Sequence, residues 1–155
     1  MLKNKILSFI LFILATYSAS AIGGFATITF KEPWYSLLIK PSFNPPDWIF
    51  APVWTTLYLM MTIAIWIFWH SKNRDTKTVY IYLIHLIFNT TWSIVFFVFH
   101  KMIFALLILI ILIYLIIILI LRLKRVNLLS SYMMFPYLLW CFFALVLNVS
   151  LIILN

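Results

Sequence analysis

The chain has few acids: three Asp and Glu stand against eleven Lys and Arg in 155 residues. Charged residues make up only 9% of it, apolar ones 66%, and the mean hydropathy is +1.16. A water-soluble domain of this length cannot hide that much apolar surface, so the composition gives an integral membrane protein. Glycine is limited to Gly23 and Gly24, which disfavours a turn-rich β-barrel. The apolar runs are also about twice the length of a barrel strand and lack two-residue alternation. The single cysteine, Cys141, lies inside an apolar run. It can form neither an intrachain disulfide nor a metal cluster, and it reads as a small buried hydrophobe. The fold class is therefore an all-α integral membrane protein, a bundle of five transmembrane helices.

The runs themselves lack Asp, Glu, Lys and Arg. Without them there is no carboxylate relay and no intramembrane ion pair, which argues against a proton-coupled pump or a voltage sensor. There is no Ser-His-Asp set, no metal-ligand cluster and no phosphate loop, so conventional hydrolytic or phosphoryl chemistry has nothing to work with. No metal and no required cofactor is expected. The net charge of +8 does not imply nucleic acid, because the cations sit in short segments between apolar runs.

What is present is a single domain over 1–155 with spans at about 6–29, 48–70, 79–99, 102–121 and 128–154. Each is near the ~20 residues that cross ~30 Å of hydrocarbon. Backbone polar groups in lipid must be satisfied internally, so each span should be helical. Residues 1–21 have the outline of a secretory signal, with Lys3, Lys5 and Ala19-Ser20-Ala21. The apolar run continues to Ile28, however, and Ala15, Ala19 and Gly23 recur every four residues. That small-residue face favours a retained first helix packed on its sisters.

Eight cations (Lys3, Lys5, Lys72, Arg74, Lys77, Arg122, Lys124, Arg125) fall on one side and three (Lys31, Lys40, Lys101) on the other. The positive-inside rule puts the N-terminus in the cytoplasm and the C-terminus outside, which suits a bacterial plasma membrane.

Residues 31–58 hold five of the six prolines, three of the seven tryptophans and two of the three acids. They read as a proline-stiffened lid over about 30–47, followed by the entry of the second helix. Within the spans, polar and aromatic residues share helical faces. Trp54, Tyr58 and Thr62 form one such set; His85, Asn89 and Trp92 a second; Pro136, Trp140, Ala144 and Asn148 a third. Asn89 and Asn148 can also serve simply as bonds between helices. Trp48, Trp66 and Trp69 lie near span ends and read as interfacial anchors. His85 could ligate iron, but no second histidine shares its face and no thiolate is near. It reads as a neutral hydrogen-bonding residue. Pro136 is expected to bend the fifth span. The fourth span, almost all Ile and Leu, is expected to face lipid.

The order Trp34-Tyr35, Leu38, Lys40-Pro41, Pro45-Pro46, Trp48, Phe50, Pro52-Val53-Trp54-Thr55, Leu57-Tyr58 resembles the translocator protein / tryptophan-rich sensory protein family (TspO/MBR). Asn89-x-x-Trp92-Ser93 with Phe96-Phe97 resembles the family's third helix. Pro136-Tyr137-x-x-Trp140 with Ala144, Leu147-Asn148 and Leu154-Asn155 resembles its fifth. Gly23-Gly24 with Thr27 resembles the end of its first. The resemblance covers essentially the whole chain. It implies five helices, often dimeric, around a cavity that opens toward the loop between helices 1 and 2. The implied ligands are porphyrins such as protoporphyrin IX and haem, and other apolar molecules. The implied ligand-binding residues are Trp34, Tyr35, Trp54, Tyr58, His85, Asn89, Trp92, Trp140, Ala144 and Asn148.

Some members are credited with porphyrin breakdown in light, for which the matching tryptophans are Trp54 and Trp140. The chain departs from the family pattern at His85, where glutamine is common. It also lacks the aromatic-then-basic sterol motif near its C-terminus. A flat macrocycle can stack on Trp and Tyr faces. Its carboxylates need donors near the mouth, for which Lys31, Lys40, indole N–H groups and Asn amides are candidates. A binding, sensing or transport role and a porphyrin-degrading enzyme are both consistent with these residues. A purely structural subunit leaves 34–58 unexplained.

Overall fold

The computed structural model describes residues 4–155, so Lys3 of the charge count lies outside the described residues. The elements are α1 (Lys5–Phe30), α2 (Trp34–Leu37), α3 (Asp47–Trp69), α4 (Thr76–Ser93), α5 (Met102–Lys124), α6 (Leu128–Tyr132) and α7 (Phe135–Leu154). After Ser93, α4 continues as a π-helical turn over Ile94–Val98. Five stretches are long and apolar enough to cross a membrane: Lys5–Phe30, Asp47–Trp69, Thr76–Val98, Met102–Lys124 and Leu128–Leu154. They match the expected spans within a few residues. The protein is a multi-pass integral membrane bundle.

Three helices start on a side-chain cap. Asn4 Oδ1 accepts from the Ile6 and Leu7 amides at 2.9 and 3.2 Å. Asp75 accepts from Thr78 N at 2.7 Å, and Asn127 from Ser130 N at 3.1 Å. These satisfy first-turn N–H groups that the helix cannot.

α1 packs on α3 and α4, α4 on α5, and α5 on α7, while α3 and α7 touch only lightly. At the end of the bundle away from residues 31–46, α6 closes the ring: Ser130 Oγ donates to the Ala64 carbonyl of α3. Lipid is as apolar as leucine, so shape and small residues, not water exclusion, bring the helices together. On α1 the buried ladder is Ser8, Phe12, Thr16, Ala19, Gly23 and Ala26. Ala19 and Gly23 therefore do face a sister helix. Thr90 Oγ1 of α4 donates to the Ala19 carbonyl at 3.2 Å. A Cβ on Gly23 would sit 3.2 Å from Ser93 Oγ. Ala15 stands beside this ladder, because the seam steps by three and four residues, not strictly by four.

Two expectations fail. The fourth span, α5, does not merely face lipid. Its face Ala105, Leu109, Leu112, Ile116, Leu119 and Leu123 is buried, all at 2% exposure or less, against α4, α6 and α7. Only its other face, with Ile103, Leu107, Ile110, Tyr114 and Leu121, is exposed. A uniformly aliphatic helix offers no polar stripe by which sequence could orient it. The fifth span is not a bent helix either. It is interrupted between Tyr132 and Phe135, so Pro136 falls in the first turn of α7. There a missing N–H costs nothing.

Candidate functional site

The middle of the bundle holds a hydrogen-bonded knot across three helices. Tyr58 Oη of α3 donates to Asn89 Oδ1 of α4 at 2.6 Å, and Asn89 Nδ2 donates to Tyr137 Oη of α7 at 3.0 Å. Trp54 stacks on Tyr58, with ring centroids 5.4 Å apart and planes at 27°. Its ring also meets Tyr137 edge-on at 6.2 Å. His85, fully buried, lies between Tyr82 at 4.8 Å and Tyr137 at 5.8 Å. Its Nδ1 bonds the Tyr82 carbonyl. A carbonyl only accepts, so Nδ1 carries the proton and Nε2 of the neutral ring is an acceptor. Nε2 is buried with no partner.

Toward the end that carries residues 31–46, Trp92 stacks on Phe96 at 5.4 Å and meets Phe97 edge-on at 6.1 Å. Trp92 Nε1 and both amide atoms of Asn148 are buried without a hydrogen-bond partner. Trp140 packs against Phe50 and Phe143 at 6.0 and 5.4 Å, with Ala144 half-buried one turn further along α7.

The segment over this end is closed. Trp34 stacks on His100 at 4.3 Å, with planes 16° apart, and meets Phe96 edge-on at 5.4 Å. Tyr35 is buried, reaches Phe96 and Phe97 at 6.4 and 5.8 Å, and donates to Asn44 Oδ1 at 3.1 Å. Burial is the main force pushing the Tyr35 phenol above its ordinary value, with the Asp47 charge second. The Asn155 side chain clasps the backbone of Ile39: Oδ1 accepts from Ile39 N at 2.9 Å and Nδ2 donates to Ile39 O at 3.1 Å.

Lys31 is held by Asp47 and Glu32. The hydrogen bond to Asp47 is the chief reason its ammonium titrates above the usual range. Lys40 lies over the Tyr35 ring, 4.8 Å from its centroid. Both lysines are thus engaged within the lid and not aimed at the interior.

The ten expected residues therefore do not form one shell. Trp54, Tyr58, His85 and Asn89 are gathered around Tyr137. Trp92 and Tyr35 join the aromatic layer under the lid, and Trp34 is turned to His100. Tyr137, fully buried, is the central member that sequence reasoning left out of the set. The signal was available: Tyr137, Cys141, Ala144 and Asn148 lie three or four residues apart, the seam spacing of α7. No open chamber lies among these rings. The two cavities beside the site are elsewhere. One, about 320 Å³, is lined by His100, Lys101, Met102, Ile103, Phe104, Ile152 and Asn155. The other, about 300 Å³, is lined by Pro52, Val53, Thr56, Leu57, Met60 and Pro136. Among the described residues, no three His, Cys, Asp or Glu gather as a metal site.

The profile of the TspO/MBR family matches residues 9–154. The chain belongs to the TspO/MBR family. It is 37% identical over 143 residues to the tryptophan-rich protein TspO of Chlorobaculum tepidum, covering 85% of this chain and 88% of that one. It is 32% identical over 152 residues to the tryptophan-rich protein TspO of Archaeoglobus fulgidus, covering 97% and 99%. The human translocator protein is 31% identical over 119 residues, covering 74% and 70%. The matched stretch of this TspO/MBR chain includes both the lid and the Tyr58–Asn89–Tyr137 knot.

Proposed function

We propose that this TspO/MBR protein binds flat, apolar aromatic molecules of the tetrapyrrole class, protoporphyrin IX or haem, and acts in sensing, scavenging or transport. The observation that carries this reading is the set of buried polar atoms without partners, Trp92 Nε1, Asn148 Oδ1 and Nδ2, and His85 Nε2, among stacked aromatic rings. An unpaired polar atom at this depth costs free energy unless something pairs with it. A ligand with an apolar face and a polar edge supplies both kinds of contact. The rings must part to admit it, and the lid must close over it. The charge bias supports a cytoplasmic N-terminus, which puts the lid on the opposite face. The small-residue helix faces are also compatible with a homodimer.

The test mixes purified protein with protoporphyrin IX in darkness and follows tryptophan fluorescence. Saturable quenching is expected, and Asn148→Leu should weaken it. Quenching that does not saturate beyond a lipid-only control removes the porphyrin reading. The same mixture under light tests the degradative alternative. That alternative requires loss of the Soret band that disappears in Trp54→Phe/Trp140→Phe.

A further inference from the structure

The lid end is shut by the Asn155–Ile39 clasp, the Trp34–His100 stack and the Lys31–Asp47 pair. The wall of the bundle has a weaker place. α3 and α7 are the neighbouring helices that touch only lightly. In their seam lies the cavity of about 300 Å³ lined by Pro52, Val53, Thr56, Leu57, Met60 and Pro136. Pro52, Thr56 and Pro136 are exposed on the lipid-facing side, while Leu57 is buried. Neither proline has an N–H to offer, and Thr56 Oγ1 donates back to the Pro52 carbonyl at 2.9 Å. The wall is therefore apolar, with its polar backbone satisfied, as hydrocarbon contact requires.

Three wall residues each stand next in sequence to a ring of the interior. Val53 precedes Trp54, Leu57 precedes Tyr58, and Pro136 precedes Tyr137. Trp54 closes the gap between the two helices, stacked on Tyr58 at 5.4 Å and edge-on to Tyr137 at 6.2 Å.

We propose that the α3–α7 seam is a lateral portal through which a neutral, bilayer-dissolved aromatic ligand enters from the hydrocarbon, with Trp54 as its gate. The inference rests on the ligand reading above and adds the route and the phase from which the ligand comes. A molecule that partitions into lipid reaches this seam without crossing the clasped lid. The groove is lined by carbon, one hydroxyl already engaged, and no charge, so it admits a neutral ligand and disfavours one whose carboxylates are ionised. The gate opens by rotation of one side chain that is held by ring contacts.

The test uses protein reconstituted in phosphatidylcholine vesicles and protoporphyrin IX dimethyl ester, a neutral probe that resides in the bilayer. Stopped-flow tryptophan quenching gives kon and koff. Thr56→Phe and Met60→Phe each fill the groove without touching the aromatic knot, and circular dichroism with gel filtration verifies their fold. Both association and dissociation are expected to slow about tenfold, with Kd unchanged, because a portal acts on rate and not on equilibrium. Asn155→Ala, which frees the lid, should leave the ester's association rate as it was. Unchanged rates in both filled variants, together with faster association in Asn155→Ala, would overturn the portal in favour of entry under the lid. Weaker affinity with faster dissociation in the filled variants would also overturn it, because the groove would then be the binding place itself. Wild-type protein with no saturable binding of either the ester or the free acid would refute the ligand reading, and the portal with it. A portal failure alone leaves saturable binding intact.

Discussion

The two ends of the bundle treat polar groups in opposite ways. At the end away from the lid, the buried hydroxyls are paired. Thr16 Oγ1 meets Tyr82 Oη at 2.6 Å, Ser131 Oγ donates to Ile120 O at 3.1 Å, and Ser130 ties α6 to α3. Trp66, expected as a lipid anchor, instead donates to the Lys5 carbonyl at 3.0 Å, joining α3 to α1. At the lid end, Trp92 and Asn148 keep buried polar atoms unpaired. That end is closed by a clasp, a stack and an exposed ion pair. The first arrangement serves the fold, because removing any partner leaves an unsatisfied group. The second is costly to the fold and useful only if something else completes it.

The contrast can be broken hardest in the far half. Phe68, fully buried, truncated to alanine should cost about 3 kcal/mol through the cavity left behind, measured as resistance to unfolding in a denaturing detergent. Next comes a pair that separates the two uses of asparagine. Asn89→Leu strands the Tyr58 and Tyr137 phenols and should cost about 2 kcal/mol. Asn148→Leu removes an amide with no partner and should leave stability unchanged or raised, while weakening ligand. If Asn148→Leu destabilises as much as Asn89→Leu, the contrast between the ends is lost.

A smaller effect is expected at the clasp. Asn155→Ala should release the lid by about 1 kcal/mol, seen as faster amide exchange in residues 34–47 with the rest of the bundle unaffected.

The smallest effect is a pH dependence at the far end. His70, which shares a hydrogen bond with Ser8 at 2.7 Å, titrates below its ordinary value of 6.5, chiefly through burial and then through Lys5 and Arg74. The fold holds the neutral ring, so this stability is present above pH 6.5 and is lost as pH falls through the lowered value. His70→Gln should flatten that part of the stability profile.

The five spans were legible because apolar runs without charge have one solution in lipid. The polar members of the knot, Tyr58 and Asn89, were legible as rare hydrogen-bonding groups on helical faces. The orientation of α5 was not, since every face of it reads alike. The break before Phe135 was also hidden: Pro136 marks a helix start as readily as a kink, and the two methionines at the interruption carry no turn signal. The clasp could not be read at all. Asn155 and Ile39 are 116 residues apart, and nothing local in either announces the other. The engaged state of Lys31 and Lys40 likewise depends on where the lid folds, which their positions between spans do not specify.

The π-helical turn at Ile94–Val98 has a consequence for how the chain tolerates change in length. Phe99 N bonds back to Ile94 O at 3.2 Å, a five-residue reach. The turn therefore carries one residue more than an α-helix of the same rise. That surplus lets the consecutive side chains Phe96 and Phe97 both be buried, where Tyr35 meets each of them. Deleting a single residue here would leave a regular, fully bonded helix that still crosses the membrane. It would rotate everything after it by about 100°, so the two-ring seat for Tyr35 would be lost while the span survived. At this turn a one-residue deletion does more harm than many substitutions, and a screen of single deletions along α4 would find the lid's register written there.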